Sequence, residues 1–224
     1  MNSVQAILFD YGMVLSASPD PIAWQRMLRI TGFDEYIFHH GYWTPRHAYD
    51  RGDLNAIEYW QKVAAAGDAT FTPEQTKLLI DADVDLWTQP NLPMIDWAQR
   101  LQRTGIRTGI LSNIGDAMTE GLLKTLPWLN GFYHCTWSYA LRLAKPEIAI
   151  YQAASAALDT PAVQILFIDD KQENIEAARE AGMQAIQYRD HASFEQEMEE
   201  RGLGYLLALA NVSSPPSAQR YPRR

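Results

Sequence analysis

A chain of 224 residues with 47% hydrophobic and 21% charged residues has the composition of a globular protein, long enough for one large domain or for a core carrying an insertion. Its formal net charge of −8, with lysines and arginines dispersed, offers no basic stripe for nucleic acid or an anionic membrane. A single cysteine, Cys135, excludes an intramolecular disulfide, and the short apolar run near the start ends in Asp10 with no charge cluster before it, so a cytoplasmic protein without signal peptide or membrane span is expected.

The first element is Ala6-Ile7-Leu8-Phe9, an apolar run that stops at Asp10 and is followed by a turn carrying Gly12 before apolar residues resume at Met13. The pattern predicts a buried parallel strand that delivers one carboxylate to the carboxyl edge of a sheet, where open α/β folds place ligands. Taken alone, Asp10 would more simply open a turn. Three later stretches repeat its pattern of polar groups at element ends. From Ala17 to Gln89 no strand is expected; helical segments are separated by prolines and glycines, among them Pro45, Gly52 and Gly67. One helix is predicted to start from an Asp53 N-cap and to set Leu54, Ile57, Trp60 and Val63 on one face. Trp24, Trp43, Trp60 and Trp87 give this stretch the bulk for a core of its own, so a separate helical cap is expected over residues 17–89.

From Asn91 onward helix and strand alternate. Met94, Trp97, Ala98 and Leu101 make a helical stripe closed by Gly105, and Ile106 to Leu111 reads as a strand ending in Ser112-Asn113. A helix with Met118, Leu122 and Leu126 follows, then an aromatic strand holding Cys135, which is read as a small buried hydrophobe. Lys145-Pro146 is predicted to open a helix carrying Ile150, Tyr151 and Ala154. Gln164 to Ile168 is a strand ending in Asp169-Asp170, and a helix closed by Gly182 leads to a last strand, Gln184 to Tyr188. This order implies an α/β fold with a doubly wound, Rossmann-like parallel sheet, built from residues 1–16 and 90–209. Residues 210–224, with prolines, serines and arginines but no apolar period, are expected to form a flexible tail.

Four polar sites would then converge on one crevice. Asp10 is a candidate nucleophile or metal ligand. Ser112 offers a hydroxyl, and the backbone amides of Asn113 and Ile114, entering a helix, would make an anion site. Lys145 supplies a point positive charge, and the adjacent Asp169 and Asp170 are hard oxygen ligands that, with Asp10, suggest magnesium.

The ordered set Asp10, Ser112-Asn113, Lys145-Pro146, Asp169-Asp170 resembles the four motifs of the haloacid dehalogenase superfamily. The stretches LAKPEIAIYQAA and ILFIDDKQENIEAAREAG look most like its small-molecule phosphatases, especially the α-D-glucose-1-phosphate phosphatase-like group. The resemblance runs from Ile7 to about Gly202 and implies a capped doubly wound core that hydrolyses a small phosphorylated metabolite through a phosphoaspartate. It implies Asp10 as nucleophile and Mg2+ ligand, the Gly12 backbone carbonyl as a further ligand, Ser112 with the Asn113 amide as phosphate cradle, and Lys145 as the bridging cation. Asp170 would bind magnesium directly, Asp169 directly or through water, and Asn174 either braces that loop or is a polar residue of the first helical turn. A monomer or homodimer is expected, with no nucleic-acid or membrane partner.

One departure stands out. Family phosphatases usually carry a second Asp two positions after the nucleophile as general acid and base, and this chain has Gly12 there. Losing positioned acid catalysis costs on the order of 100- to 10,000-fold for a poor leaving group. Gly12 therefore suits a sugar 1-phosphate or another activated phosphate, a weakened or non-catalytic protein, or a backbone torsion that glycine alone adopts. In the cap, His39, His40, Tyr42, Trp43, Tyr49 and Arg51 form a polar-aromatic group of which a few are expected to face the crevice, with His39 or His40 as a substitute acid. Two alternatives remain open: a metal-independent 2-haloacid dehalogenase, against which the Asp169-Asp170 pair argues, and a binding protein that kept the fold without turnover.

Overall fold

A computed structural model describes residues 3–209; the tail expected at 210–224 lies outside them. Strand β1 (Ala6–Phe9) is apolar throughout because both of its faces are covered. Ile7 and Phe9 join one buried cluster with Trp97 and Phe194, while Ala6 and Leu8 join another with Tyr151 and Phe167.

After β1 the stretch over residues 17–89 forms five α-helices that do not enter the sheet: α1 (Pro21–Thr31), α2 (Glu35–Trp43), α3 (Arg46–Arg51), α4 (Ala56–Ala65) and α5 (Pro73–Leu86). The chain leaves and re-enters side by side, with Ser16 and Pro90 forming an antiparallel bridge and the Ala17 amide donating to the Gln89 carbonyl at 2.8 Å. Helix α4 starts later than the Asp53 cap expected from sequence. Asn55 is its N-cap, and Asn55 and Glu58 satisfy each other's backbone amides at 3.0 and 2.9 Å, a reciprocal box that Asp53 has no partner to make.

The core continues with α6 (Leu92–Thr104), β2 (Arg107–Ser112), α7 (Asp116–Thr125), β3 (His134–Trp137), α8 (Ser138–Leu141), α9 (Ile148–Ala157), β4 (Ile165–Asp169), α10 (Gln172–Glu180), β5 (Gln184–Gln187), α11 (His191–Glu200) and α12 (Gly204–Leu209). The sheet has five strands in the order β3-β2-β1-β4-β5, with every pairing parallel. The chain steps outward from β1 through β2 to β3 and returns beside β1 as β4. The order thus reverses between β1 and β4, and a crevice opens at their carboxyl ends. Phe9 is in register with Ile168, and the Asp10 amide donates to the Ile168 carbonyl at 2.8 Å, so Asp10 leaves the sheet level with Asp169.

Helix α9 begins at Ile148, so Lys145 and Pro146, joined by a cis peptide, lie ahead of it and not in its first turn. The Lys145 amide and carbonyl are both taken by the side chain of Asn113, at 2.8 and 2.9 Å. The five inserted helices pack closely on this core. Phe38, Tyr42, Tyr59 and Trp60 belong to the same buried cluster as Phe9 and Trp97. At the seam a Cβ on Gly115 would stand 2.1 Å from the Tyr49 ring, and one on Gly52 would stand 2.4 Å from the Tyr139 carbonyl oxygen. Among the described residues no helix is long and apolar enough to cross a membrane.

Candidate active site

Asp10 is 7% exposed at the end of β1, where its Oδ1 accepts from the Tyr11 amide at 2.7 Å and from Lys145 Nζ at 2.8 Å. Lys145 also donates to Asp169 Oδ2 at 2.6 Å. Asp169 is fully buried; its Oδ1 takes the Lys171 amide at 2.8 Å and Asn174 Nδ2 at 2.9 Å. Asp169 therefore has both oxygens engaged and fixes the ammonium and the loop, whereas Asp170 turns its half-buried side chain toward the cavity. Carboxylate oxygens of Asp10, Asp169 and Asp170 lie within 4.8 Å of one another.

The electrostatics follow from this crowding. Burial pushes the Asp10 carboxyl up to about 7; Lys145 pulls it down, but Asp169 and Asp170 add to the rise. Asp170 is raised for the same reasons, burial first and Asp169 next. Burial alone would lower Lys145, yet its two bonded carboxylates hold it above its ordinary value. The site is thus short of positive charge. It also has an orphan acceptor: Asn174 Oδ1 is buried, lines the same crevice and has no hydrogen-bond partner.

A cavity of about 440 Å³ opens over this cluster, and Asp10, Gly12, Ser112, Asn113, Lys145 and Asp170 all line it. Asp169 lies behind the wall. The expected anion site is narrower than the sequence suggested. The Ile114 amide donates to Ser138 Oγ at 2.8 Å, and α7 starts at Asp116 after Gly115, so that amide is committed to a side chain 24 residues away.

Gly12 has φ −63° and ψ 132°, extended backbone that any residue adopts, which removes the torsional explanation for the glycine. The left-handed residue in this turn is Met13, at φ 60°. What stands over Gly12 is Trp87, 3.7 Å from where a Cβ would be. Gly12→Ala is accordingly expected to stabilise the protein by about 0.4–1 kcal/mol through reduced freedom of the unfolded chain. Denaturant unfolding checks this; a loss of stability would mean that Trp87 cannot give way.

Of the six residues of the expected cap singled out in the sequence, Trp43 lines the cavity. Tyr42 and Tyr49 are buried beneath its wall, Arg51 bonds Glu147 and Asp53 outside it, and His39 and His40 are exposed and outside the lining. The inserted helices instead supply Arg46, His47 and Asp50 from α3, and Trp87 from the end of α5. Trp43, His47 and Asp50 are spaced by four and three residues, the period of one helical face, but Pro45 between them reads as a breaker and hides it. Arg46 is 8% exposed, with its guanidinium 5.2, 5.6 and 5.8 Å from the Tyr42, Tyr49 and Tyr59 ring centres. It donates through Nε to Asp50 Oδ1 at 3.0 Å, and through Nη1 to Asp83 Oδ2 at 3.2 Å and the Tyr42 hydroxyl at 2.6 Å. Cys135 is half-buried in β3, where burial pushes its thiol up to about 12, well away from a nucleophilic thiolate.

A family model described as haloacid dehalogenase-like hydrolase matches residues 40–182. The chain is 24% identical over 219 residues to a drimenol cyclase of Aspergillus calidoustus, covering 92% of this chain and 39% of that protein. It is 30% identical over 113 residues to bifunctional epoxide hydrolase 2 of Rattus norvegicus, covering 49% and 20%. The chain thus spans less than half the length of these curated relatives. Among solved structures, a HAD family enzyme of Bacteroides thetaiotaomicron superposes with TM-score 0.73 at 18% identity, covering 88% of this chain and 99% of that one. An aspartate-to-alanine variant of that enzyme, in complex with magnesium and inorganic phosphate, gives TM-score 0.70 at 19% identity, with 86% and 99% covered. L-2-haloacid dehalogenase of Xanthobacter autotrophicus gives 0.64 at 16%, with 92% and 86% covered.

Proposed function

The chain belongs to the haloacid dehalogenase-like hydrolases, and we propose that within them it is a magnesium-dependent phosphatase of small phosphorylated metabolites that works through a phosphoaspartate on Asp10. The observation that carries this reading is the crowding of Asp10, Asp169 and Asp170 within 4.8 Å, with Lys145 bonded to the first two. A dehalogenase that attacks carbon without metal has no use for that surplus negative charge. The raised Asp10 and the orphan Asn174 oxygen both fit a hydrated divalent cation, which would lower the first and donate to the second through its water. Asp10, Asp170 and the Gly12 carbonyl would hold the ion, with Asp169 as their support. Bound magnesium would supply charge neutralisation at the transferring phosphoryl group.

The chain's own residues do the rest. Asp10 Oδ2 is the oxygen left for attack once Oδ1 is held by the Tyr11 amide and Lys145. Ser112 and the Asn113 amide would cradle the phosphoryl oxygens, and Asn113 ties that cradle to Lys145 through both of its side-chain groups. The inserted helices over 17–89 act as the cap that shapes the leaving-group end of the cavity. Sugar 1-phosphates are the first substrates to assay, since the Trp43 face suits a sugar ring and an anomeric oxygen leaves readily.

The deciding experiment is phosphate release from a metabolite panel with magnesium and with chelator, alongside halide release from a 2-chloroacid. Phosphate release that chelation abolishes is the expected result; metal-independent halide release would replace this reading with the dehalogenase one. Asp170→Asn should raise the magnesium concentration needed for half-maximal activity. The pH dependence has a definite sign. Asp10 must be ionised to attack, so activity rises with pH through its titration. Saturating magnesium should move that acid limb well below the value of about 7 reached by the metal-free carboxyl. An acid limb indifferent to magnesium would separate Asp10 from the metal.

A further inference from the structure

From the placement of the cap's one cavity-lining carboxylate among the described residues, we infer that Asp50 is the general acid and base of the hydrolysis, doing from the cap what a side chain at position 12 does not. The inference rests on the phosphatase reading above.

Asp50 sits on α3, a helix of six residues that would place a side chain loosely if nothing held it. It is held to the phosphate end of the cavity. The Asp50 carbonyl accepts from Ser138 Oγ, and that same oxygen accepts from the Ile114 amide at 2.8 Å, so one hydroxyl separates the Asp50 backbone from the residue that follows Ser112-Asn113. Gly52 packs directly on Tyr139 and fixes the other side of the turn. The side chain is oriented as well. Arg46 Nε holds Oδ1 at 3.0 Å, and the side chain, 15% exposed, lines the cavity that Asp10 and Gly12 also line.

The charged groups around Asp50 tune it for proton transfer. Arg46 and His47 share its helix, Asp83 approaches from α5, and Lys171 faces it from the connection after β4; Tyr42, Tyr49 and Tyr59 surround the Arg46 guanidinium. Burial raises its carboxyl to about 6, with Arg46 pulling down and Asp83 pushing back up. That lies close enough to neutrality for a carboxyl to give and regain a proton in each turnover. His47, the imidazole that the same helix brings to the cavity, is exposed at its edge.

In the first step Asp10 Oδ2 forms a bond to phosphorus while the ester P–O bond breaks, and the departing oxygen takes the Asp50 proton to leave as an alcohol. In the second, the Asp50 carboxylate takes a proton from water as the water oxygen bonds phosphorus and the bond to Asp10 breaks. Phosphate departs, Asp10 is again a carboxylate and Asp50 is again protonated.

The test uses leaving groups. p-Nitrophenyl phosphate needs no acid, while alkyl phosphates do. In Asp50→Asn with magnesium, the ratio of kcat/KM on an alkyl phosphate to that on p-nitrophenyl phosphate should fall about 100-fold relative to the parent. The parent's rate on the alkyl phosphate should also decline as pH rises through the Asp50 titration, and that decline should vanish in the variant. Thermal unfolding of the variant separates these effects from misfolding. An unchanged ratio, or one that falls in His47→Gln in place of Asp50→Asn, overturns the assignment. So does a parent that already discriminates steeply against alkyl phosphates, because the reaction would then run on leaving-group quality alone. Failure of the parent to hydrolyse p-nitrophenyl phosphate at all would instead strike the phosphatase reading, and this inference with it.

Discussion

Asp10→Asn is expected to lower kcat by on the order of 10^4-fold or more, because an amide of the same shape has no oxygen able to form the phosphoaspartate. The same substitution should raise the melting temperature of the magnesium-free protein. The folded-state value of about 7 lies above the ordinary 3.8, so between those two pH values the folded protein holds a proton that the unfolded chain has released. Stability therefore falls as pH rises through that window, and the full penalty applies above it. Asparagine carries no charge to desolvate and leaves Lys145 its bond to Asp169. A dead but more stable variant is the joint signature, read by turnover and by thermal unfolding at pH 8 with chelator. Appreciable activity in a clean preparation would defeat the covalent mechanism; a lower melting temperature would show that the carboxylate is better compensated than its surroundings suggest.

Lys145→Ala should be costly in both respects. Lys145 is 3% exposed and its ammonium bridges two carboxylates at 2.8 and 2.6 Å, so its removal strands buried negative charge. Breaking a buried pair by deleting one partner costs about 3–5 kcal/mol, which for a chain of this size is a fall in Tm of roughly 6–20 °C. Magnesium should recover part of that loss, since a divalent cation can take up the stranded charge, but it should not recover activity, because the phosphoryl group and Asp10 would still lack their shared cation. Thermal melts and kinetics across a magnesium titration check both halves. Recovery of turnover at high magnesium would assign Lys145 a purely structural role.

The acids of the site were legible in the sequence because a strand buried on both faces cannot hold a charge in its middle. Asp10, Ser112 and Asp169 could stand nowhere but at strand ends, and a parallel sheet brings such ends together. The parallel, doubly wound sheet followed from the alternation of helix and strand after Asn91, while its strand order is set by tertiary packing. The contribution of the inserted helices was harder to see. Trp43, His47 and Asp50 share a helical period that Pro45 interrupts in sequence and that the fold continues across two helices. Asn55 is distinguishable from Asp53 by the Glu58 that follows it by three positions, the pattern of a reciprocal capping box. The commitment of the Ile114 amide to Ser138 and the clasp of Asn113 on Lys145 are tertiary, joining residues 24 and 32 apart, and no local pattern encodes them. Gly12 left its readings open because glycine permits many torsions without requiring any; here it takes an ordinary one beneath Trp87.

The close fit of Tyr49 on Gly115, and the single buried cluster running from Phe38 and Trp60 to Phe9 and Trp97, bear on how the molecule comes apart. Two bodies joined by a pair of crossing strands would melt in two steps, each protecting its own amides to its own extent. A shared interior couples them. Opening the insert exposes aromatic surface of the sheet's covering layer, so partial unfolding costs nearly as much as complete unfolding and intermediates stay sparsely populated. The most slowly exchanging amides should accordingly be found on both sides of the Ser16–Pro90 crossing, in α4 as well as in β1, with similar protection.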